Sequence, residues 1–360
     1  MNKVCYIVCN GPVPELGTII IGPGLRARQL YIQANLIYEN VKYLFFDKSY
    51  DLVVKNEGIF EETSPVKNCI FIRSEDQDIF LEKQVDNIFV FTQVMHAELA
   101  LKLSTHNTII YDFLACKERE LKCGNKSHQA KKVSKEINNM IQISKRIFFN
   151  GAKKKDLLMN KGASGDALFE NAFVPITSNA INQKNKTFDL LWGGNSHPWI
   201  NSHEALDTFI EFAKLNPDKK LGAFIPSNKD ENYIKHYSTI NLLPNITVFG
   251  NMNYVSYCEV LLSSRVFIDW NQLNDERKFS TSIRTLQAIS LGMVPIHNAN
   301  TDISWFDNFP GILLDRSPEC EDINMALEYS YSDMFIDANS QAIKINKNIL
   351  NNKNLFSEIL

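Results

Sequence analysis

The stretch RKFSTSIRTLQAISLGMVPI, residues 277–296, gathers the residue types that hold an anion. Ser280, Thr281 and Ser282 are all competent helix N-caps, and Ile283, Leu286 and Ile289 follow at helical spacing. Gly292 stands where a left-handed residue closes a helix, and Met293–Ile296 reads as a buried strand. The first turn of such a helix leaves backbone N–H groups unpaired and carries partial positive charge. Arg284 lies in that turn beside Ser282 and Thr285. A forked guanidinium next to free amides and hydroxyls suits a phosphate or diphosphate. An ordinary capped helix with a solvated arginine would use the same residues.

Other stretches carry candidate chemistry. Trp192-Gly193-Gly194-Asn195-Ser196-His197 is a Gly-rich turn after an apolar run, with backbone open to a ligand and hydrogen-bonding side chains beside it. Gly22-Pro-Gly24-Leu-Arg26-Ala27 has the form of a dinucleotide fingerprint, and Asp47 falls twenty residues after Ala27, where a ribose-binding acid would stand. The fingerprint should follow its strand at once, whereas residues 10–21 intervene, so an anion- or acceptor-binding loop is the alternative. Asp76-Gln-Asp78 is a carboxylate pair that can hold a cation or simply favour a helix start. Asp112, at the end of an apolar strand, can orient a sugar hydroxyl, act as a base or cap the next segment; Asp269, after Val266–Ile268, is a lesser candidate of the same kind. Lys126, Lys131, Lys132, Lys135 and Lys153–Lys155 make the first half locally basic, either a solvated face or a membrane-surface contact.

Strands alternate with helices on both sides of these residues. Val4–Val8, Tyr43–Phe46, Cys69–Arg73, Ile88–Phe91, Thr108–Tyr111 and Arg146–Phe149 read as strands, with helices over Leu25–Tyr38, Gln93–Leu103 and Ser127–Ile143. A polar, aperiodic linker follows, and a second series begins at Phe188–Trp192. The expected organisation is a first domain over 1–175, a linker over 176–187 and a second domain over 188–335. A helical segment over 336–360 is expected to pack back on the first domain. The expected fold class is α/β, two doubly wound, Rossmann-like domains facing across a cleft, with ligands beyond the C-terminal strand ends.

Composition excludes several classes. At 360 residues, 44% hydrophobic and 22% charged, the chain is globular, and no apolar run is long enough to span a bilayer. The net charge of −3 gives no global attraction to nucleic acid, so none is expected as a partner. Seven cysteines without a CxxC pair or zinc spacing fit reduced thiols in the cytoplasm. A Walker A loop, a GxSxG elbow and nucleic-acid-binding signatures are absent.

In order, the GPGLRARQL loop, the YD at a mid-domain strand end, SKRIFFNG, LWGGNSHPW and SIRTLQAISLGMVPI resemble bacterial glycosyltransferases of the GT-B fold. The nearest group is the large retaining, family-four-like one that builds surface polysaccharides. The resemblance implies a donor site at Gly193, Gly194, Asn195, Ser282, Arg284 and Thr285, and an acceptor side with Gly22, Gly24 and Arg26. Trp192, His197, Lys278 and Gln287 are counted with the donor residues, and Arg284 and Asp112 as the catalytic pair. The implied reaction moves a sugar from a nucleotide-activated donor to a saccharide or lipid-linked hydroxyl without a metal or cofactor, with peripheral membrane contact admitted. The group's two glutamates are replaced here by Phe279 and Gln287. That departure keeps open a non-catalytic sugar-nucleotide-binding protein, and the Gly22–Ala27 motif with Asp47 keeps open an NAD-dependent sugar-nucleotide oxidoreductase.

Overall fold

The structure is a computed structural model that describes residues 3–16, 22–47, 68–175, 186–193, 203–225, 234–250, 252–271, 274–279, 282–303, 306 and 308–357. The chain forms two compact units, Met1–Val174 with Asn348–Leu360, and Pro175–Lys347.

The first unit is built on a seven-stranded parallel sheet in the order β3-β2-β1-β4-β5-β6-β7. Its strands are β1 (Cys5–Val8), β2 (Val41–Phe46), β3 (Cys69–Ile72), β4 (Ile88–Phe91), β5 (Thr108–Asp112), β6 (Arg146–Phe149) and β7 (Leu168–Glu170). Central strands such as CYIV and IFVF are apolar at every position because helices cover both faces, and all four residues of each are buried. The C-terminal Asn354–Ser357 helix belongs to this unit: the Phe356 ring meets Tyr38 and Phe148 edge-on, and Arg146 Nη1 donates to the Leu355 carbonyl at 2.5 Å.

The second unit repeats the scheme with six parallel strands, β10-β9-β8-β11-β12-β13. They are β8 (Phe188–Gly193), β9 (Leu221–Phe224), β10 (Ile246–Phe249), β11 (Ser264–Ile268), β12 (Val294–Asn298) and β13 (Ile312–Leu314). Residues alternate between two cores: Leu190, Trp192, Val266 and Ile268 point to one side of the sheet, Leu191 and Phe267 to the other. In each unit the strand order reverses direction once, between β1 and β4 and between β8 and β11. Those switch points are where a doubly wound sheet opens a crevice at its C-terminal edge.

Most elements stand where the sequence places them. Gly292 has φ +73° and closes the Ile283–Ser290 helix before β12, as its position requires. The Gly-rich loop is a difference. Gly22 and Gly24 lie inside the first turn of a helix, Gly22–Ala34, which stops four residues short of Tyr38. Gly24 is there for contact: a Cβ on it would lie 1.7 Å from the Pro12 carbonyl oxygen. The three-residue edge strands β7 and β13 escape the sequence because so short a run has no readable period.

Gly24→Ala tests this packing. Backbone of residues 12–13 must shift to admit the methyl, which should cost the first unit roughly 1–3 kcal/mol. A urea titration should show an earlier unfolding midpoint, and an unchanged midpoint would contradict the contact.

Candidate active site

Three elements converge at the β8/β11 switch point of the second unit. Strand β8 ends at Gly193, β11 is followed by Asp269, and the Ile283–Ser290 helix begins beside them. Gly193 admits no side chain, since a Cβ would lie 2.3 Å from the Phe267 ring. Ser282 holds the N-cap position with extended backbone, and its side chain makes no capping bond. The first-turn amides of the helix therefore have no intrahelical acceptor and no cap from the Ser282 side chain.

Arg284 projects from this turn. One terminal nitrogen donates to the Gly193 carbonyl, and the other lies 3.0 Å from Asp269 Oδ1. The guanidinium so bridges the ends of the two strands that flank the switch point, and its side chain stays 24% exposed. Asp269 is buried and multiply bonded. Thr285 Oγ1 donates to its Oδ2 at 2.9 Å, and Asn271 Nδ2 reaches its backbone and side-chain oxygens at 3.2 and 3.3 Å. Burial alone would raise the Asp269 carboxyl. Arg284, His297 and the Ser282 and Thr285 hydroxyls outweigh it and hold the pKa below the ordinary value.

Behind Asp269 the chain of contacts continues into β12. His297 places Nδ1 3.1 Å from Thr285 Oγ1 and Nε2 2.9 Å from Thr301 Oγ1, and Asn298 Nδ2 donates to the Asn271 carbonyl at 3.0 Å. Sequence reasoning ranked Asp269 low and did not see His297 or Asn271. Their one signal is position: Asp269 and His297 stand at the C-terminal ends of adjacent parallel strands.

The other expected site residues fall variously. Thr285 is fully buried and Gln287 5% exposed, both on the packed side of the helix. Trp192 is a core residue, packed with Leu206 and Phe209. Lys278 is half-exposed, 3.5 Å from Asp275. Gly194, Asn195 and His197, with Ser280, Thr281 and most of the expected linker, lie outside the described residues.

In the first unit, Arg26 and Asp112 are each other's partners, 1% and 0% exposed, at 2.7 Å. Arg26 also donates to Gln29 Oε1 at 2.8 Å and to the Asn171 and Ala172 carbonyls at 2.9 and 3.3 Å. All of its donors are spent inside the protein. Asp47 accepts from the Ser74 amide and hydroxyl, and Asp78 lies 3.3 Å from Lys102. The carboxylate that a nicotinamide cofactor's ribose would need is thus turned to Ser74. Among the described residues no three His, Cys, Asp or Glu side chains are grouped to hold a metal ion. No described helix is long and apolar enough to cross a membrane.

No family model matches the chain, and no curated protein is similar to it in sequence. Solved structures are similar over its whole length. Anabaena Alr3699/HepE in complex with UDP matches with a TM-score of 0.66 at 12% identity, covering 99% of both chains. An α-glucosyltransferase in complex with UDP and a 13-mer DNA matches at 0.62 and 13%, covering 99% of this chain and 98% of that one. The chain has the GT-B fold. These likenesses also correct one expectation: a net charge of −3 does not exclude nucleic acid, because a GT-B chain of the same extent is seen bound to DNA. Whole-chain charge says nothing about a local patch.

The His297 ring yields a pH prediction. Burial lowers its pKa from 6.5 against the upward pull of Asp269, so the folded state favours the neutral ring. The unfolded chain protonates this ring near its ordinary value, so the stability it contributes is complete above about pH 6.5 and declines as pH falls toward the lower folded pKa. His297→Gln should flatten the fall in thermal midpoint between about pH 7 and about pH 5. Equal slopes in the two proteins would refute the assignment.

Proposed function

We propose that the chain is a glycosyltransferase that moves a sugar from a nucleoside-diphosphate donor to a hydroxyl of a saccharide or lipid-linked acceptor. The second unit takes the donor and the first unit the acceptor. The observation that carries this reading is Arg284, pinned across the switch point by Gly193 and Asp269 beside first-turn helix amides that the Ser282 side chain leaves uncapped. As the glycosidic bond to the donor breaks, negative charge collects on the departing diphosphate. A preorganised guanidinium and first-turn N–H groups stabilise that charge without reorganising, so the positive charge needs no metal to supply it. The motif order that resembles the retaining, family-four-like group supports retention of anomeric configuration and a place in surface polysaccharide assembly. The UDP-bound structures that share the fold support a uridine nucleotide as the first ligand to test. Gln287, where that group carries a glutamate, offers a neutral hydrogen bond to a ribose or sugar hydroxyl in place of a charged one.

A thermal-shift panel of nucleoside diphosphates and their sugars tests the reading. A ligand at a hundred times its dissociation constant adds about 2.7 kcal/mol of stability. Arg284→Ala should weaken binding of the best diphosphate by roughly ten- to a hundredfold, the loss of one charged hydrogen-bonding group. Arg284→Lys should recover part of it, keeping the charge but not the fork. Wild-type affinity in the alanine variant would sink the proposal.

A further inference from the structure

Between Lys117 and Lys161 the sequence holds thirteen lysines and arginines against four carboxylates, in a chain whose net charge is −3. The excess is sorted by the fold. Arg146 and Lys154 turn inward: Arg146 donates to the Leu355 carbonyl, and Lys154 Nζ to the Leu114 carbonyl and Asn150 Oδ1 at 2.7 and 2.6 Å. Lys117, Lys122 and Lys161 pair with Glu120 and Glu118. Of the exposed remainder, Lys145, Lys153 and Lys155 lie beyond the Ser127–Ile143 helix, Lys131, Lys132 and Lys135 lie on it, and Lys126 stands at its N-cap.

That helix buries Ala130, Ile137, Met140 and Ile141. Its outer side carries His128, Lys131, Lys135, Asn138 and Gln142, all exposed, at spacings of three and four. Such spacing aligns them in one row along about 20 Å of helix. Lys126 and Lys132 flank the row, exposed; Lys132 is 3.8 Å from Glu136, and no carboxylate of the described residues pairs with Lys126, Lys131 or Lys135.

We propose that this row docks the sugar–phosphate backbone of a nucleic-acid strand. Lysine, imidazole and side-chain amides are the groups that meet phosphate and sugar oxygens in such contacts, and the row contains no acid to repel them. A bilayer surface is a poorer match. An interfacial helix submerges an apolar face, whereas here the apolar face is consumed by the core and the outer row holds no apolar side chain. The contact is backbone-directed, so it discriminates little between sequences. It involves none of the residues assigned to the donor, so it stands or falls apart from the glycosyltransferase reading.

Fluorescence anisotropy of the full chain with labelled single-stranded and duplex oligonucleotides of roughly 20 nucleotides tests it. Binding should weaken with salt between about 50 and about 200 mM, with a log–log slope near −2 to −3 for three phosphates neutralised. The double variant K131E/K135E should lose at least about tenfold in affinity. Its thermal midpoint and its UDP-induced shift should match the wild type, because both substitutions are on the exposed row. No anisotropy change at the lower salt overturns the proposal, as does binding indifferent to K131E/K135E. Flotation with anionic vesicles that depends on Lys131 and Lys135, without oligonucleotide binding, overturns it in favour of a membrane. UDP binding lost in the wild type would count against the donor site alone.

Discussion

The contact between Arg284 and Asp269 decides what the second unit can do. Asp269 is fixed by strand β11, and Arg284 by the helix that begins at Ile283, so the ion pair records how chain segments meet at the switch point. Removing a buried charge's partner costs about 3–5 kcal/mol in typical proteins, though here the guanidinium keeps some solvent and the cost is smaller. The larger consequence is geometric. With one terminal nitrogen on the Gly193 carbonyl and the other on Asp269, the guanidinium plane is set before any ligand arrives. The network through Thr285, His297 and Thr301 holds Asp269 in turn, so the orientation is inherited from β12 as well.

The first unit contains a second arginine–aspartate pair that clarifies the first by contrast. Arg26 and Asp112 also join a helix to the end of a parallel strand, and both are buried. Yet Arg26 spends every donor on Asp112, Gln29 and the Asn171 and Ala172 carbonyls. Gln29 and Gln33, on the same side of the helix, bind Asn171 and Ala172 further, and Gln33 reaches the Ile349 carbonyl at 2.9 Å. This is a device for fixing backbone. Arg284 makes two protein contacts, has donors to spare, and keeps its side chain 24% exposed. Equal residue types at similar sheet positions thus serve different ends, and the count of unspent donors tells them apart.

That contrast marks the limit of what the sequence discloses. Strand–helix alternation was legible because fully covered parallel strands are apolar throughout, and Gly292 was legible because only a left-handed residue closes that helix. Arg284 was legible through local spacing to Ser282 and Thr285. Asp269 was legible only as a lesser candidate and His297 and Asn271 not at all, since their meaning comes from strands brought side by side by the crossover between β11 and β12. Within the Gly22–Ala27 motif, the close approach of Gly24 to the Pro12 carbonyl is likewise something no local pattern encodes. The Lys153–Lys155 run misled, because its middle lysine is fully buried against Leu114 and Asn150.

A carboxylate beside the proposed diphosphate site looks self-defeating, and the geometry explains why it is not. An unpaired guanidinium half-withdrawn from water would be costly to keep and free to swing toward any acceptor. Asp269 removes both problems at the expense of part of the attraction, since its charge opposes an incoming anion. What would draw the proposed ligand is then the remaining face of Arg284 together with the helix amides, which the Ser282 side chain leaves uncapped. Such a site discriminates by fit more than by charge. A ligand must present oxygens both to the unspent edge of the fork and to the amides, which favours a diphosphate bridging the two over a single phosphate that satisfies only one.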